Sequence, residues 1–238
     1  MQFHIITIFP KMFDGYVATS MIKRGIARGL VDVRVHDLRA YSADKKHFKV
    51  DERPYGGGPG MVLKVEPIIK ALESILKISK SQLSISKRKR IKIILFSAGG
   101  KQFNSKIAIA LAEKYDHIIM VAGHYEGVDE RVTKIIENSK LKIENLSMGP
   151  YVLTGGELPA MVLMDAVSRH IPEFLGKSES LEEARFGPGL PAYTRPEVFT
   201  YKKKAYKVPS VLLTGNHAKI DAWRVSHVKG FTGSKKKN

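Results

Sequence analysis

The chain has 238 residues, 43% of them apolar, enough for one large core or one core with a small appendage. Forty Lys and Arg against 23 Asp and Glu give a formal charge of +17, the footprint of a polyanionic partner. There is no cysteine, which excludes disulfides, a thiol nucleophile and cysteine–zinc sites and fits a cytosolic protein.

The chain begins with an apolar run, Phe3 to Phe9, that lacks a basic n-region and meets Pro10 at once, so it predicts a first strand and not a signal peptide. Apolar residues at helical spacing (Met12, Phe13, Tyr16, Val17, Met21, Ile22, Ile26) predict a helix from Met12 to Leu30. Val31, Val33 and Val35 alternate with polar residues, which predicts a half-exposed strand. A helix is expected from Glu66 to Ile78, then a Ser/Lys/Arg-rich surface loop from Ser79 to Arg90. Ile91 to Phe96 predicts a buried strand, with Asn104 or Ser105 capping the next helix. His117 to Ala122 predicts another buried strand, Val128 to Asn138 a helix, Leu141 to Leu146 a strand and Glu157 to His170 a helix with Pro159 in its first turn. No apolar run approaches a membrane span, and the eight histidines form no pair at i, i+3 or i, i+4, which argues against a helical zinc site.

Strands alternating with helices predict an α/β fold with a largely parallel sheet, and such sheets hold ligands outside the carboxyl ends of their strands. Three glycine-bearing loops follow predicted strands: Ser97–Gly100, Gly123–Gly127 and Ser147–Pro150. A fourth, Thr154-Gly155-Gly156-Glu157, leads into a helix. Glycine permits close backbone approach, so the four loops together point to one shared ligand pocket. The run Arg53-Pro54-Tyr55-Gly56-Gly57-Gly58-Pro59-Gly60-Met61 lacks the Gly-Lys-Ser/Thr ending of a P-loop and the third glycine of a dinucleotide fingerprint. It predicts instead a backbone-rich surface that a nucleic acid or cofactor can approach, with Tyr55 available to stack. Beyond Pro172 the pattern weakens, Gly176 to Pro191 has linker composition, and one helix is expected from Ile220 to Val228. From Arg195 onward eleven Lys/Arg face two Asp/Glu, so the last fifth of the chain carries +9 and the rest only +8. That asymmetry predicts a nucleic-acid-gripping appendage on a more neutral body.

Several runs resemble the bacterial tRNA (guanine-N1-)-methyltransferase family, TrmD, of the knotted SPOUT superfamily. They are Asp51 to Met61, Gly123-His124-Tyr125-Glu126-Gly127-Val128-Asp129-Glu130-Arg131, Tyr151 to Ala160, Val167-Ser168-Arg169, Tyr193 to Val198 and Gly215-Asn216-His217-Ala218, in the family's order. The resemblance implies a SPOUT sheet with a C-terminal trefoil knot in residues 1–175, a flexible linker at 176–191 and a small, mainly helical, basic tRNA-binding domain at 192–238. It implies a cytoplasmic homodimer whose active sites are shared between subunits, with no membrane association. S-adenosylmethionine is the expected cofactor and S-adenosylhomocysteine the product, with divalent-ion dependence left open. The expected cofactor wall is Leu95, Phe96, Ser97, Ala98, Gly123, Tyr125, Glu126, Met148, Gly149, Pro150, Tyr151, Val152, Leu153, Gly155 and Gly156. Arg53, Tyr55, Gly58, Pro59, Arg195, Lys202, Lys203, Lys204 and Lys207 are expected to contact RNA.

Methyl transfer to guanine N1 requires loss of the N1 proton and stabilisation of charge growing on O6. The family uses an aspartate as base and an arginine on the helix after the Gly-Gly-Glu-Leu-Pro turn. Arg169 matches the arginine, but Ala184 stands where the aspartate is expected. Glu183 is therefore the expected base, with Glu182 second. The chain is also about three residues short between Phe186 and Tyr193 relative to the family, and ends in a lysine tail where many members continue in helix. Two alternatives follow: a tRNA- and S-adenosylmethionine-binding protein with impaired catalysis, suggested by Ala184, or a SPOUT methyltransferase acting on another RNA.

Overall fold

A computed structural model describes residues 1–81, 90–139, 141, 143–176 and 189–228. The chain divides into two compact units, Met1–Phe174 and Leu175–Asn238.

The first unit is an α/β layer structure on a five-stranded sheet. Its strands are β1 (Gln2–Thr7), β2 (Asp32–Asp37), β5 (Ile91–Gln102), β6 (His117–Val121) and β7 (Ile143–Ser147), in the order β2-β1-β6-β5-β7. Every pairing in it is parallel, for example Ile6 with Val121 and Leu95 with Val121. Strands β1 and β6 and the first part of β5, Ile91 to Leu95, are buried on both faces, which is why they read as largely apolar runs. The short strands β3 (Asp51–Glu52) and β4 (Val62–Leu63) form a separate antiparallel pair below the glycine-rich run.

Helices cover the sheet: α1 (Asp14–Val17), α2 (Ser20–Ala27), α3 (Val65–Ser81), α4 (Ser105–Lys114), α5 (Arg131–Asn138) and α6 (Glu157–Ser168). One core cluster joins Ile6, Ile8, Ile93, Leu95, Ile119 and Val121 of the sheet to Ile68, Leu72 and Ile75 of α3 and to Val132 and Ile136 of α5. Burying each such aliphatic side chain stabilises the fold by about 1.5–3 kcal/mol. Asn104 caps α4 as expected, accepting from the Ile107 amide at 3.1 Å.

Four expectations change. The helix expected from Met12 to Leu30 is three pieces, a 3-10 turn at Pro10–Phe13 followed by α1 and α2. The Thr19 hydroxyl donates to the Gly15 carbonyl at 2.7 Å, a local bond that competes with helix continuation, and Ser20 turns left-handed at φ 52°. The segment expected as a loop after Phe96 lies within β5. There Phe96 and Lys101 both pair with Leu146, so Ser97–Gly100 loops out of the ladder. Helix α5 starts at Arg131 and not at Val128, because the Asp129 carboxylate accepts the Arg131 amide at 3.0 Å. Helix α3 runs on to Ser81, beyond the expected start of the loop at Ser79; residues 82–89 lie outside the described part.

The second unit contains an antiparallel hairpin that the sequence reading missed, β8 (Val198–Tyr201) and β9 (Lys204–Lys207). Beyond it come a 3-10 turn, Ser210–Leu213, and helix α7 (His217–His227), whose first turn is capped by Asn216 accepting from the Lys219 amide at 3.1 Å.

Candidate active site

Because the sheet is parallel, the segments leaving β5, β6 and β7 meet at its carboxyl end. They enclose a cleft of about 310 Å³, inside the ~300–1,000 Å³ range of small-molecule sites. Leu95–Ala98 contribute one wall and Gly123–Val128 a second. Asn145–Met148 and Tyr151–Gly156 close the third. After β7 the chain runs back to the β6 loop, where the Gly156 amide donates to the Gly123 carbonyl at 2.8 Å and His124 bridges Gly155.

Several of these approaches exclude any side chain. A Cβ on Gly156 would lie 2.6 Å from Ala122 Cα, and one on Gly100 would lie 2.7 Å from the Asn145 backbone. A Cβ on Gly155 would strike both the His124 ring and the Glu157 carboxylate. The glycines are thus required by packing, independently of any ligand.

Beneath the cleft lies a buried polar strut. Glu157, in the first turn of α6, is 2% exposed and accepts a 2.7 Å hydrogen bond from the Thr7 hydroxyl at the end of β1. Thr7 Oγ1 in turn accepts from the Phe9 amide at 2.9 Å. The other Glu157 oxygen lies 3.7 Å from His124 Nδ1, and the His124 ring meets Phe9 and Tyr125 edge-on. A carboxylate at a helix N-terminus is also favoured by the helix dipole. Tyr125 holds a left-handed backbone, φ 60°, uncommon for a residue with a side chain.

The β6 loop is fastened from outside as well. The Leu63 amide donates to Gly127, and the Asp129 amide returns to Leu63. The Glu126 amide donates to Met61, and a Cβ on Gly60 would strike the Glu126 side chain. Asp129 takes a two-pronged ion pair from Arg131, at 2.9 and 2.6 Å. The Arg131 hydrogen bonds hold the Asp129 carboxyl below the usual carboxylate range.

Of the fifteen residues expected at the cofactor, thirteen line this cleft. Gly149 and Pro150 do not: Gly149 is buried against the Tyr151 ring, and Pro150 is exposed. Arg169 is half-buried at the C-terminal cap of α6 and is not among the lining residues. Glu183, Glu182 and Ala184 lie outside the described residues. Arg53, Tyr55, Gly58 and Pro59 lie in the exposed loop between β3 and β4, with Tyr55 99% exposed. Arg195, Lys202, Lys203, Lys204 and Lys207 are exposed in the second unit.

The expected cofactor wall left out His124, Gly127, Ser147 and Thr154 of the glycine-bearing loops, together with Val128, Glu130, Asn145, Leu146 and Pro159. The sequence reading also omitted the strut behind the cleft. A signal existed for Thr7, a lone hydroxyl late in an apolar strand. Glu157 carried no comparable signal, since an acid in a helix's first turn reads as an ordinary dipole partner.

The lining suits an adenosyl sulfonium. Leu95, Phe96, Val128 and Leu153 offer apolar cover, bare glycine backbone allows close approach to polar base edges, and the Glu126 and Glu130 carboxylates complement positive charge. Among the described residues no group of three or more His, Asp or Glu side chains is arranged to hold a metal ion.

Comparison with known proteins agrees with this geometry. The family model described as tRNA (Guanine-1)-methyltransferase TrmD matches residues 1–238. A tRNA (guanine-N(1)-)-methyltransferase of Carboxydothermus hydrogenoformans is 43% identical over 227 residues, 94% of this chain and 81% of the relative. Relatives of the same name from Dictyoglomus turgidum and Clostridioides difficile are 45% and 41% identical. Each match again covers 94% of this chain, and 83% and 90% of those proteins. With the whole chain matched in this way, it belongs to the tRNA (guanine-1)-methyltransferase TrmD family.

Proposed function

We propose that this chain transfers the methyl group of S-adenosylmethionine to N1 of the guanosine at position 37 of tRNA, 3′ of the anticodon, releasing S-adenosylhomocysteine. The observation that carries the reading is the single cleft formed by the loops after β5, β6 and β7 in a chain of this family. The cofactor supplies an already activated methyl group. The protein's work is to align it with N1, to accept the N1 proton and to neutralise charge on O6.

In this reading Leu95–Ala98, Gly123, Tyr125, Glu126, Met148 and Tyr151–Gly156 hold the cofactor. Gly149 and Pro150 shape the loop around it. Arg169 stabilises the charge on O6 and Glu183 takes the N1 proton. Separate Glu183→Gln and Glu182→Gln variants assign the base: single-turnover methylation collapses in the first and persists in the second. Full single-turnover rate in Glu183→Gln removes that assignment.

A threaded, SPOUT-type loop accords with the return of the chain from edge strand β7 to the β6 loop before α6. The enzyme acts as a homodimer with active sites shared between subunits. The outer face of α6 supports this: Leu158 and Val162 are each 51% exposed, and Met12, Tyr151 and Val152 are exposed as well. Residues 1–175 carry the methyl transfer, 176–191 link, and 192–238 bind tRNA, in keeping with the +9 charge of the last fifth. Arg53, Tyr55, Gly58 and Pro59 present the glycine-rich loop to the RNA. The enzyme works where tRNA is, in the cytoplasm; no described helix is long and apolar enough to cross a membrane. Incubating a tRNA transcript with labelled S-adenosylmethionine and locating the methyl group tests the reading.

A further inference from the structure

The β8–β9 hairpin has features that lysine-to-phosphate contact does not use. In its antiparallel register Phe199 faces Tyr206 and Tyr201 faces Lys204. Directly opposed residues share a face, and so do alternate residues along a strand. Phe199, Tyr201, Tyr206 and Lys204 therefore occupy one face, while Val198, Thr200, Ala205 and Lys207 occupy the other. All eight strand residues are exposed, the three rings by 59%, 55% and 50%. Rings this exposed on a two-stranded ribbon add little to its stability.

Lysines surround that face. The ammonium of Lys202 lies 5.5 Å from the centre of the Tyr201 ring, and that of Lys204 lies 5.4 Å from the Tyr206 ring. The turn is made of Lys202 and Lys203, both left-handed, at φ 46° and 64°. Two-residue hairpin turns of this kind favour Asn-Gly, so a Lys-Lys turn gives up conformational ease to place two cations at the tip. Exposed rings beside cations, on a segment of strong positive charge, match unpaired nucleobases joined by phosphates. Every base offers a π-face to a ring, and its phosphate a partner to a lysine.

We infer that the β8–β9 hairpin is a stacking platform on which Phe199, Tyr201 and Tyr206 take unstacked bases of the RNA substrate while the turn lysines hold the adjoining phosphates. The inference rests on the reading of tRNA as substrate and deepens it. Lysine contact alone gives affinity that scales with salt; stacking gives affinity that does not.

The test is equilibrium binding of a tRNA transcript to the full chain across a salt series, with Phe199→Ala, Tyr201→Ala and Tyr206→Ala measured beside Tyr201→Phe and Tyr206→Phe. Each alanine variant is expected to bind about 5- to 100-fold more weakly with an unchanged salt slope. The phenylalanine variants are expected to bind like the parent, which also shows that the hairpin tolerates substitution. Parental affinity in all three alanine variants overturns the platform. So does equal loss in Tyr→Phe and Tyr→Ala, which would assign the effect to the hydroxyls. Unchanged tRNA binding with an altered oligomeric state in sedimentation also overturns it, in favour of a protein-facing surface. Binding is read without methyl transfer, so a parent chain that binds tRNA but methylates nothing would defeat the proposed activity and leave the platform standing.

Discussion

The Thr7 hydroxyl donates a 2.7 Å hydrogen bond to Glu157 across 150 residues of sequence, with both side chains closed to solvent. That bond ties the end of β1 to the first turn of α6 directly under the cleft. Glu157→Ala leaves the Thr7 hydroxyl buried without its acceptor, and a loss of about 1–3 kcal/mol in urea unfolding is expected. Affinity for S-adenosylhomocysteine should fall with it, because the His124–Gly127 segment loses its backing. Glu157→Gln retains an acceptor for Thr7 and should fall between. Parental unfolding and parental ligand affinity in Glu157→Ala would remove the strut from the account.

Glycine packing gives a sharper contrast. Gly156→Ala places a methyl group 2.6 Å from Ala122 Cα, so backbone must move at the junction of the β6 loop and α6. A displacement near 1 Å at a reacting centre costs on the order of 100-fold in rate. Gly99→Ala is the control, since a Cβ there meets nothing within 4 Å. Calorimetric titration with S-adenosylhomocysteine and steady-state methylation should show Gly156→Ala strongly impaired and Gly99→Ala near the parent. Equal behaviour of the two would contradict the packing.

These two tests mark where the sequence was informative. The core strands were legible because β1, β6 and the first part of β5 are buried on both faces and carry mostly apolar residues. The cleft was legible as glycine loops behind such strands, and the resemblance named most of the residues that line it. The Thr7–Glu157 bond was not legible, since nothing local relates residues so far apart. The break at Thr19 depended on one side-chain hydroxyl, and the Ser97–Gly100 excursion on pairing with β7. Strands of only four exposed residues, joined by Lys202-Lys203 with no Gly, Asn or Asp to signal a turn, left the β8–β9 hairpin without a pattern to read.

Acidification should weaken the fold through a histidine row on the sheet. His4 on β1 stacks between His36 on β2 and His117 on β6, with ring centres 5.3 and 5.8 Å away, and His4 Nδ1 lies 3.1 Å from His36 Nε2. Burial first, then the imidazoles of His36 and His117 and the Arg34 guanidinium, push the His4 imidazole down to about 3. The folded chain keeps His4 neutral, while the unfolded chain protonates it near its ordinary value of 6.5. The stability it contributes is therefore complete above pH 6.5 and is lost as pH falls toward 3. Between pH 7 and 5 the loss amounts to about 2 kcal/mol. Urea unfolding at several pH values should show a shallower decline for His4→Asn than for the parent. Identical slopes would mean that His4 titrates normally.

Neutralising Lys202, Lys203, Lys204 and Lys207 together should weaken tRNA binding and flatten its dependence on salt. Each phosphate contact contributes roughly 0.7–0.9 to the slope of log affinity against log salt, so the slope should fall by up to about 3. Binding across a salt series reads this directly. An unchanged slope would show that these lysines do not touch phosphate.

The central claim is methyl transfer from S-adenosylmethionine to guanine N1 in tRNA. Digestion of a methylated transcript to nucleosides, with mass spectrometry of the modified base and its position, tests it most directly. 1-Methylguanosine is expected immediately 3′ of the anticodon, and it is lost when that guanosine is replaced by adenosine. Methyl on another atom or another site, or no methyl at all, would contradict it.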